Sequence, residues 1–447
     1  MRKSLIVAGI LAMALWHMPS AGWAQNAPKP KGQNDDILII DEDSGDDDIF
    51  IIEEDGAGSV EDLQEEIDRL ADEIDDMRDI FGTIRKNVNV TGYGETHFNV
   101  PTDDRINTFD AHRFVIGINA RFNDWIFLNA EIDYEHAAQV LEFEMAYLDF
   151  LLDPTFNARA GTVLIPVGFL NEFHEPVLFW TVERPVFHNR VVPTSWNGTG
   201  GGFFGTLGNF LGGMNYRLYL VNSLRSVEEA GCDDGHGRGG DCGQFSGSSG
   251  LRGGRNDPDD LKVDDFAVTG RFEFSNLFPG FQLAGSFYTG NTTHGLIPQN
   301  GRTTLLEADI KYRYKWFDMN ASIANAHVNN AEELNNFALS QGNASGRIAS
   351  DIFGWNAQFG IHLPQLIGKS TSHDVVAHFM YEFIDTQNNM PNGSAPSPTG
   401  ERDVYTMGIA WFPSTTNVAL KADYTHQRFL NGTSTDDFNF GFAYMFF

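Results

Sequence analysis

From about residue 86 onward the chain alternates apolar and polar side chains with a period of two. Residues 113 to 122 read RFVIGINARF: Phe114, Ile116, Ile118, Ala120 and Phe122 share one face, and Arg113, Asn119 and Arg121 the other. In 126–134, Ile126, Leu128, Ala130, Ile132 and Tyr134 oppose Asn129, Glu131 and Asp133. In 306–314, Leu306, Ala308, Ile310, Tyr312 and Tyr314 oppose Glu307, Asp309, Lys311 and Arg313; in 418–424, Val418, Leu420, Ala422 and Tyr424 oppose Lys421 and Asp423. Successive strand residues point to opposite faces, so each segment predicts a strand with one apolar and one charged side. Ionised groups on every second residue cannot face lipid, so they face a wet interior. About 16 such segments begin near residues 87, 109, 125, 139, 156, 199, 210, 263, 280, 302, 316, 351, 372, 402, 416 and 436. That spacing predicts an all-β fold: a transmembrane antiparallel β-barrel of about 16 strands over 86–447. Tight polar signals at Phe122-Asn-Asp124 and Leu152-Asp-Pro154 alternate with long connections expected over 225–262 and 384–401.

Ahead of residue 86 the period differs. Val60, Leu63, Ile67, Leu70, Ile74, Met77 and Phe81 recur at spacings of three and four, an a/d seam that predicts a short α-helical coiled coil over 59–82. Ser59 with Asp62 resembles a capping box at its start, and Gly82 closes it. One amphipathic helix packing on its own barrel is the plainer alternative. Residues 25–58 predict a disordered acidic segment holding a duplicated unit, Asp36 to Asp43 and, 12 residues later, Asp48 to Asp55. Each unit is an apolar tetrapeptide fenced by carboxylates, which repel one another and prevent a core. It reads as a solvated spacer, or as a linear motif for an unidentified periplasmic partner of residues 35–55 or for cations. Arg2 and Lys3, the apolar run Leu5 to Trp16 and the small residues at Gly22 to Ala24 read as a signal peptide over 1–24. Export followed by a barrel implies the bacterial outer membrane, with the N-terminal segment in the periplasm.

The C-terminus carries the most specific pattern. In DFNFGFAYMFF, Phe438, Phe440, Phe442, Tyr444 and Phe446 share a face, and the spacing resembles the assembly signal of outer-membrane barrels. Composition agrees: 46 Gly and 37 Phe with only 2 Cys suit many turns and aromatic girdles. The formal charge of −31 argues against nucleic acid as a partner. It is uneven, with 21 acidic and two basic residues between Asp35 and Ile80. Cys232 and Cys242, in GCDDGHGRGGDC, read as a disulfide closing a polar loop in an oxidising compartment. A metal site joining them with His236 is the alternative, but the spacing fits no common zinc pattern, and no metal or cofactor is expected.

Between the fifth and sixth strands lies FLNEFHEPVLFWTVERPVFHNRVVPTSWNG, residues 169–198, preceded by GTVLIPVG. With the coiled coil and the barrel length, this block resembles the family of porins O and P, called phosphate-selective porins. The resemblance implies a trimer with membrane lipid around it, and a third loop folded inward to narrow the pore. The candidate constriction residues are then Glu172, His174, Glu175, Glu183, Arg184, His188 and Arg190. Candidates along the lumen are Arg113, Arg121, Glu131, Asp133, Glu307, Asp309, Lys311 and Arg313. The family's Arg and Lys ladders are matched only in part: carboxylates are interleaved, and a mixed lining gives a transverse field with weak selectivity. Phosphate specificity is therefore not carried over. Arg184 and Arg190 read either as aligning a polar solute or as salt-bridging Glu183 and Glu175. His174, His188, Ser195 and Asn197 cluster in sequence, but no motif of defined spacing joins them, so no enzyme is predicted. Haem-attachment and dinucleotide motifs are missing from the sequence. The expected role is passive diffusion of small hydrophilic solutes or ions; the alternative is a barrel that anchors the acidic segment.

Overall fold

A computed structural model describes residues 87–447 except 138–139, 209–212, 231–242, 256–262, 276, 343–346, 393, 414–416 and 447, together with 65, 68–70 and 72–75. Those last positions are helical, and the seam residues Leu70 and Ile74 are each 45 % exposed. The other seam positions, the signal peptide, the acidic repeat and Cys232 with Cys242 lie outside the described residues.

The period-two segments form β1 (Val88–Pro101), β2 (Thr108–Arg121), β3 (Ile126–Glu135), β4 (Val140–Asp153), β5 (Phe156–Leu164), β6 (Asn197–Leu207), β7 (Met214–Asn222) and β8 (Phe266–Phe274). They continue as β9 (Phe281–Asn291), β10 (Arg302–Tyr314), β11 (Phe317–Val328), β12 (Asp351–His362), β13 (Asp374–Asn389), β14 (Glu401–Phe412), β15 (Val418–Phe429) and β16 (Ser434–Phe446). Each strand pairs antiparallel with its neighbours in sequence, and β1 pairs with β16, so the sheet closes into a 16-stranded barrel. Closure satisfies both edges of every strand, which is what allows such a sheet to stand in hydrocarbon.

The alternation sets the two surfaces. On β10, Leu306 is 60 % exposed on the outside, whereas Glu307 and Asp309, facing in, are 5 % and 1 % exposed. Phe438, Phe440 and Phe442 of β16 are likewise exposed outside while Asn439 is buried. The closing seam depends on a close approach: a Cβ on Gly92 would fall 2.5 Å from the Phe446 ring, so only glycine lets that ring lie across β1.

Connections of unequal length collect at opposite ends. One end has tight turns such as 154–155 and 315–316; the other carries 165–196, 223–265 and 329–350. The connection expected over 384–401 is shorter than anticipated, because β13 runs on to Asn389. Residues 384 to 387 are all buried rather than alternating, and Thr386 Oγ1 donates to the Gly247 carbonyl of the 223–265 connection. The longer connection at 329–350, with a helix over Ala331–Ser340, was not anticipated.

Candidate functional site

Segment 165–196 leaves the end of β5 and returns into β6. Asn171 ties its neck: its Nδ2 donates to the carbonyls of Ile165 and Trp196, and its Oδ1 accepts from Trp196 N–H. From there the segment reaches strands on all sides of the barrel. Glu172 pairs with Arg217 of β7 at 3.1 Å, and Lys311 of β10 sits 4.6 Å above the Phe169 ring. His174 pairs with Glu144 of β4 at 2.7 Å, and Glu183 with His97 of β1 at 3.1 Å. Lys421 of β15 donates to the carbonyls of Pro176 and Thr181 at 2.6 and 2.9 Å, and Asp423 accepts from Val182 N–H at 2.6 Å. Glu382 of β13 accepts from the Val186 and Phe187 amides at 3.1 and 2.8 Å. A segment bonded to opposite walls of a closed barrel crosses its interior. Its backbone groups, which a sheet would otherwise satisfy, are satisfied by charged lumen side chains instead. Packing assists: a Cβ on the inward-facing Gly360 of β12 would meet the Trp180 ring at 2.4 Å, so the missing side chain leaves that ring its place.

Among the described residues, three cavities adjoin the segment. One, of about 370 Å³, lies between Glu183, Arg184 and the walls around Asn99, Glu382, Asp423 and Asn439. A second, of about 650 Å³, is lined by Phe169, Trp180, Lys311, Arg313, Asp318 and His362. A third, of about 230 Å³, brings together Glu131, Arg159, Glu172, His174, Glu175 and Arg217.

Two lining regions bond their arginines differently. On β1–β4, Arg113 lies within 3.6 Å of four carboxylates: Glu135 at 2.7 Å, Glu95 and Asp133 at 3.5 Å, and Glu144 at 3.6 Å. Glu144 continues the inward phase of Glu142 up to a register shift between β3 and β4, a bulge after which Met145 faces Glu131; there Glu144 accepts from Tyr93 O–H at 2.9 Å and meets His174. On β5–β8, Arg159 grips Asp149 through Nε and Nη2 at 2.7 and 2.9 Å, and Arg271 grips Asp309 through Nη1 and Nη2 at 2.5 and 3.1 Å. Arg217 stands opposite Arg271 in the ladder.

The predicted constriction residues have several fates. Glu172, His174, Glu175, Glu183 and Arg184 all line cavities. Burial penalises the Glu183 carboxylate, but hydrogen bonds from His97 and Asn99 more than offset this and hold it down to about 2. Burial disfavours the charged form of His174, yet Glu144 outweighs it and its pKa is raised. Arg184 pairs with neither Glu183 nor Glu175 in the way the sequence suggested; its Nη1 donates to Ser195 Oγ, while its Nε and Nη2 are buried without a hydrogen-bond partner. His188 lines none of these cavities. It is clamped between the Phe169 and Phe187 rings, and burial pushes its pKa down to about 3. Arg190 bonds the Ser248 carbonyl and so ties segment 165–196 to the 223–265 connection. Neither His188 nitrogen has a hydrogen-bond partner, and His174 is engaged by Glu144, Tyr93 and the Asn171 carbonyl; neither is a base for Ser195.

Of the lumen candidates, Arg113, Glu131, Asp133, Glu307, Asp309, Lys311 and Arg313 project from the inward face of their strands. Arg121 lies at the tight-turn end, exposed and paired with Asp124. Sequence reasoning missed Arg159, Arg217 and Arg271, whose inward phase was legible in FNARAG, MNYRLYL and TGRFEF. It also missed Glu95, His97 and Glu382.

No protein-family model matches the chain. An uncharacterized protein of Aquifex aeolicus (strain VF5) is 29 % identical over 385 residues, covering 81 % of each chain. Among solved structures, the outer membrane channel DcaP of Acinetobacter baumannii matches 80 % of this chain and 97 % of its own, with a TM-score of 0.50 at 10 % identity. The Salmonella typhi OmpF complex with daunomycin matches 80 % of this chain and 98 % of its own, also with a TM-score of 0.50 at 10 % identity. At such identities the likeness is one of fold: this chain has the closed barrel that those outer-membrane proteins share.

Proposed function

We propose that the protein is an outer-membrane porin, through which small hydrophilic solutes or ions diffuse passively, and that segment 169–198 narrows the lumen. The observation that carries this is the segment bonded to both walls while charged side chains still line open cavities on either side of it. The exposed apolar belt supports the membrane setting: Leu306, Phe438, Phe440 and Phe442 would be an aggregation hazard in water and are at home in lipid. Arg184, with two buried donors unused, and Glu183 would face a passing solute with opposite charges. The heptad seam over 59–82 supports self-association, and the family resemblance suggests a trimer. Planar-bilayer recordings on the purified full-length chain test the reading. Discrete conductance steps are expected, and a folded protein that gives none overturns it. Reversal potential in a salt gradient reports cation against anion preference.

A further inference from the structure

At the long-loop end of β2 and β3 a second group of side chains converges, outside the network that holds segment 165–196. The ladder between β1 and β2 slips between the pairs Glu95↔Arg113 and His97↔Asp110, so Ala111 and His112 together face the single residue Thr96. This bulge puts the His112 ring against the His97 ring, stacked at 4.5 Å. β3 is then extended by His136 N–H donating to the His112 carbonyl and Ala137 N–H to the Ala111 carbonyl, at 2.9 and 3.1 Å. His136 and Ala137 take φ of 49° and 57°, a left-handed pair that swings the His136 ring back over β2. Both imidazoles then aim Nδ1 at one oxygen, Asp110 Oδ2, at 3.0 Å from His112 and 2.8 Å from His136.

We propose that Asp110, His112 and His136 form a binding site for a divalent first-row transition ion such as Zn²⁺, Ni²⁺ or Cu²⁺. Their ligand atoms all lie within 4.8 Å of one another. Metal–ligand bonds of about 2.0–2.1 Å in tetrahedral geometry put donor atoms roughly 3.3 Å apart, so each Asp110–His distance needs to open by only a few tenths of an ångström to take an ion. Two imidazoles and one carboxylate suit these ions and leave positions free for water, whereas Mg²⁺ and Ca²⁺ want six or more oxygens. Around the site, Glu95, Glu183 and Glu135 supply three carboxylates against two facing cations: Arg113, and His97, which donates from both ring nitrogens to Glu95 and Glu183 at 3.0 and 3.1 Å. The side chains are partly exposed, so an ion reaches them from solution. The competing role for the same atoms is a hydrogen-bonded His–Asp–His tie between two strands.

Titration of the folded full-length chain in detergent with Cu²⁺, read by electron paramagnetic resonance, separates the two. The metal site predicts one tight micromolar equivalent whose spectrum shows coupling to two imidazole nitrogens, displaced by Zn²⁺ and untouched by excess Mg²⁺. His112→Gln and His136→Gln should each weaken that equivalent about tenfold or more, with unchanged circular dichroism and heat-modifiable gel mobility. A wild-type spectrum without nitrogen coupling overturns the proposal without recourse to any variant. So does an equivalent that persists at full strength in both variants, which would place it on the acidic repeat or the Cys232–Cys242 loop.

Discussion

The two charged regions of the lumen handle arginine in opposite ways. On β5–β8, Arg159 and Arg271 each hold a carboxylate in a two-pronged grip, and Arg217 takes Glu172 from the crossing segment. On β1–β4, Arg113 stands among four carboxylates yet makes one short contact, to Glu135, and its Nε and Nη1 have no hydrogen-bond partner. Fork-to-fork pairs fix geometry and cancel charge locally. A guanidinium shared among four acids leaves part of their charge to other groups: His97 pairs with Glu95 and His174 with Glu144. Arg271 also lies within 3.6 Å of Glu273 and Glu307, so what separates the two regions is the grip each arginine makes, not the number of acids around it.

The largest test of this contrast removes the hub. Arg113→Met leaves Glu95, Asp133 and Glu144 buried around an apolar side chain, and stripping one partner from buried ion pairs costs about 3–5 kcal/mol. The expected outcome is that much loss in the urea unfolding free energy of the detergent-folded chain. Arg159→Met, which strips a partner from one carboxylate, Asp149, rather than from several, should cost less, about 1.5–3 kcal/mol, the worth of hydrogen bonds to a charged group. Equal losses would erase the distinction between the two regions.

Selectivity gives a smaller effect. Glu183→Gln removes one charge from the 370 Å³ cavity and should lower cation preference by up to about fivefold, the factor for roughly 1 kcal/mol between charges 4 Å apart in water. The pH dependence follows from the depressed pKa. A carboxylate held to about 2 is ionised above that value, so the difference between wild type and variant should survive acidification to about pH 3.5. A carboxylate of ordinary pKa would have lost most of it. The smallest expected effect is none: deleting residues 25–58 should leave conductance and selectivity unchanged if the lumen walls set them. A shift in reversal potential would move the source of the field to the acidic repeat.

Much of the fold was legible in the sequence because its period is short and local. All sixteen strands begin within four residues of the positions expected, since each apolar-charged alternation declares itself. The inward phase of Arg113, Glu307 or Lys311 followed from the same rule. What was not legible lies where the rule breaks or where contacts are distant. His112 owes its aim to a bulge, and one extra residue reverses the parity that sequence reading relies on. The split between Arg184, a cavity wall, and Arg190, a loop tie, depends on Ser195 and Ser248, and nothing in ERPVFHNR distinguishes the two arginines. The service of Lys421, Asp423 and Glu382 as backbone partners of segment 165–196 depends on residues 195 to 245 positions away.

The seam where Phe446 lies over Gly92 has a kinetic consequence. Asn99 bonds Asn439 across 340 residues of chain, so the pairing that completes the cylinder is also the most non-local one in it. Bringing distant ends together costs chain entropy before any contact repays it, and proteins dominated by such pairings fold slowly. Until β16 arrives, the aromatic row Phe438, Phe440 and Phe442 and the bare edge of β1 wait together without partners. β16 is thus the strand whose delay is most hazardous, and a chain lacking it would remain an open, self-adhesive sheet.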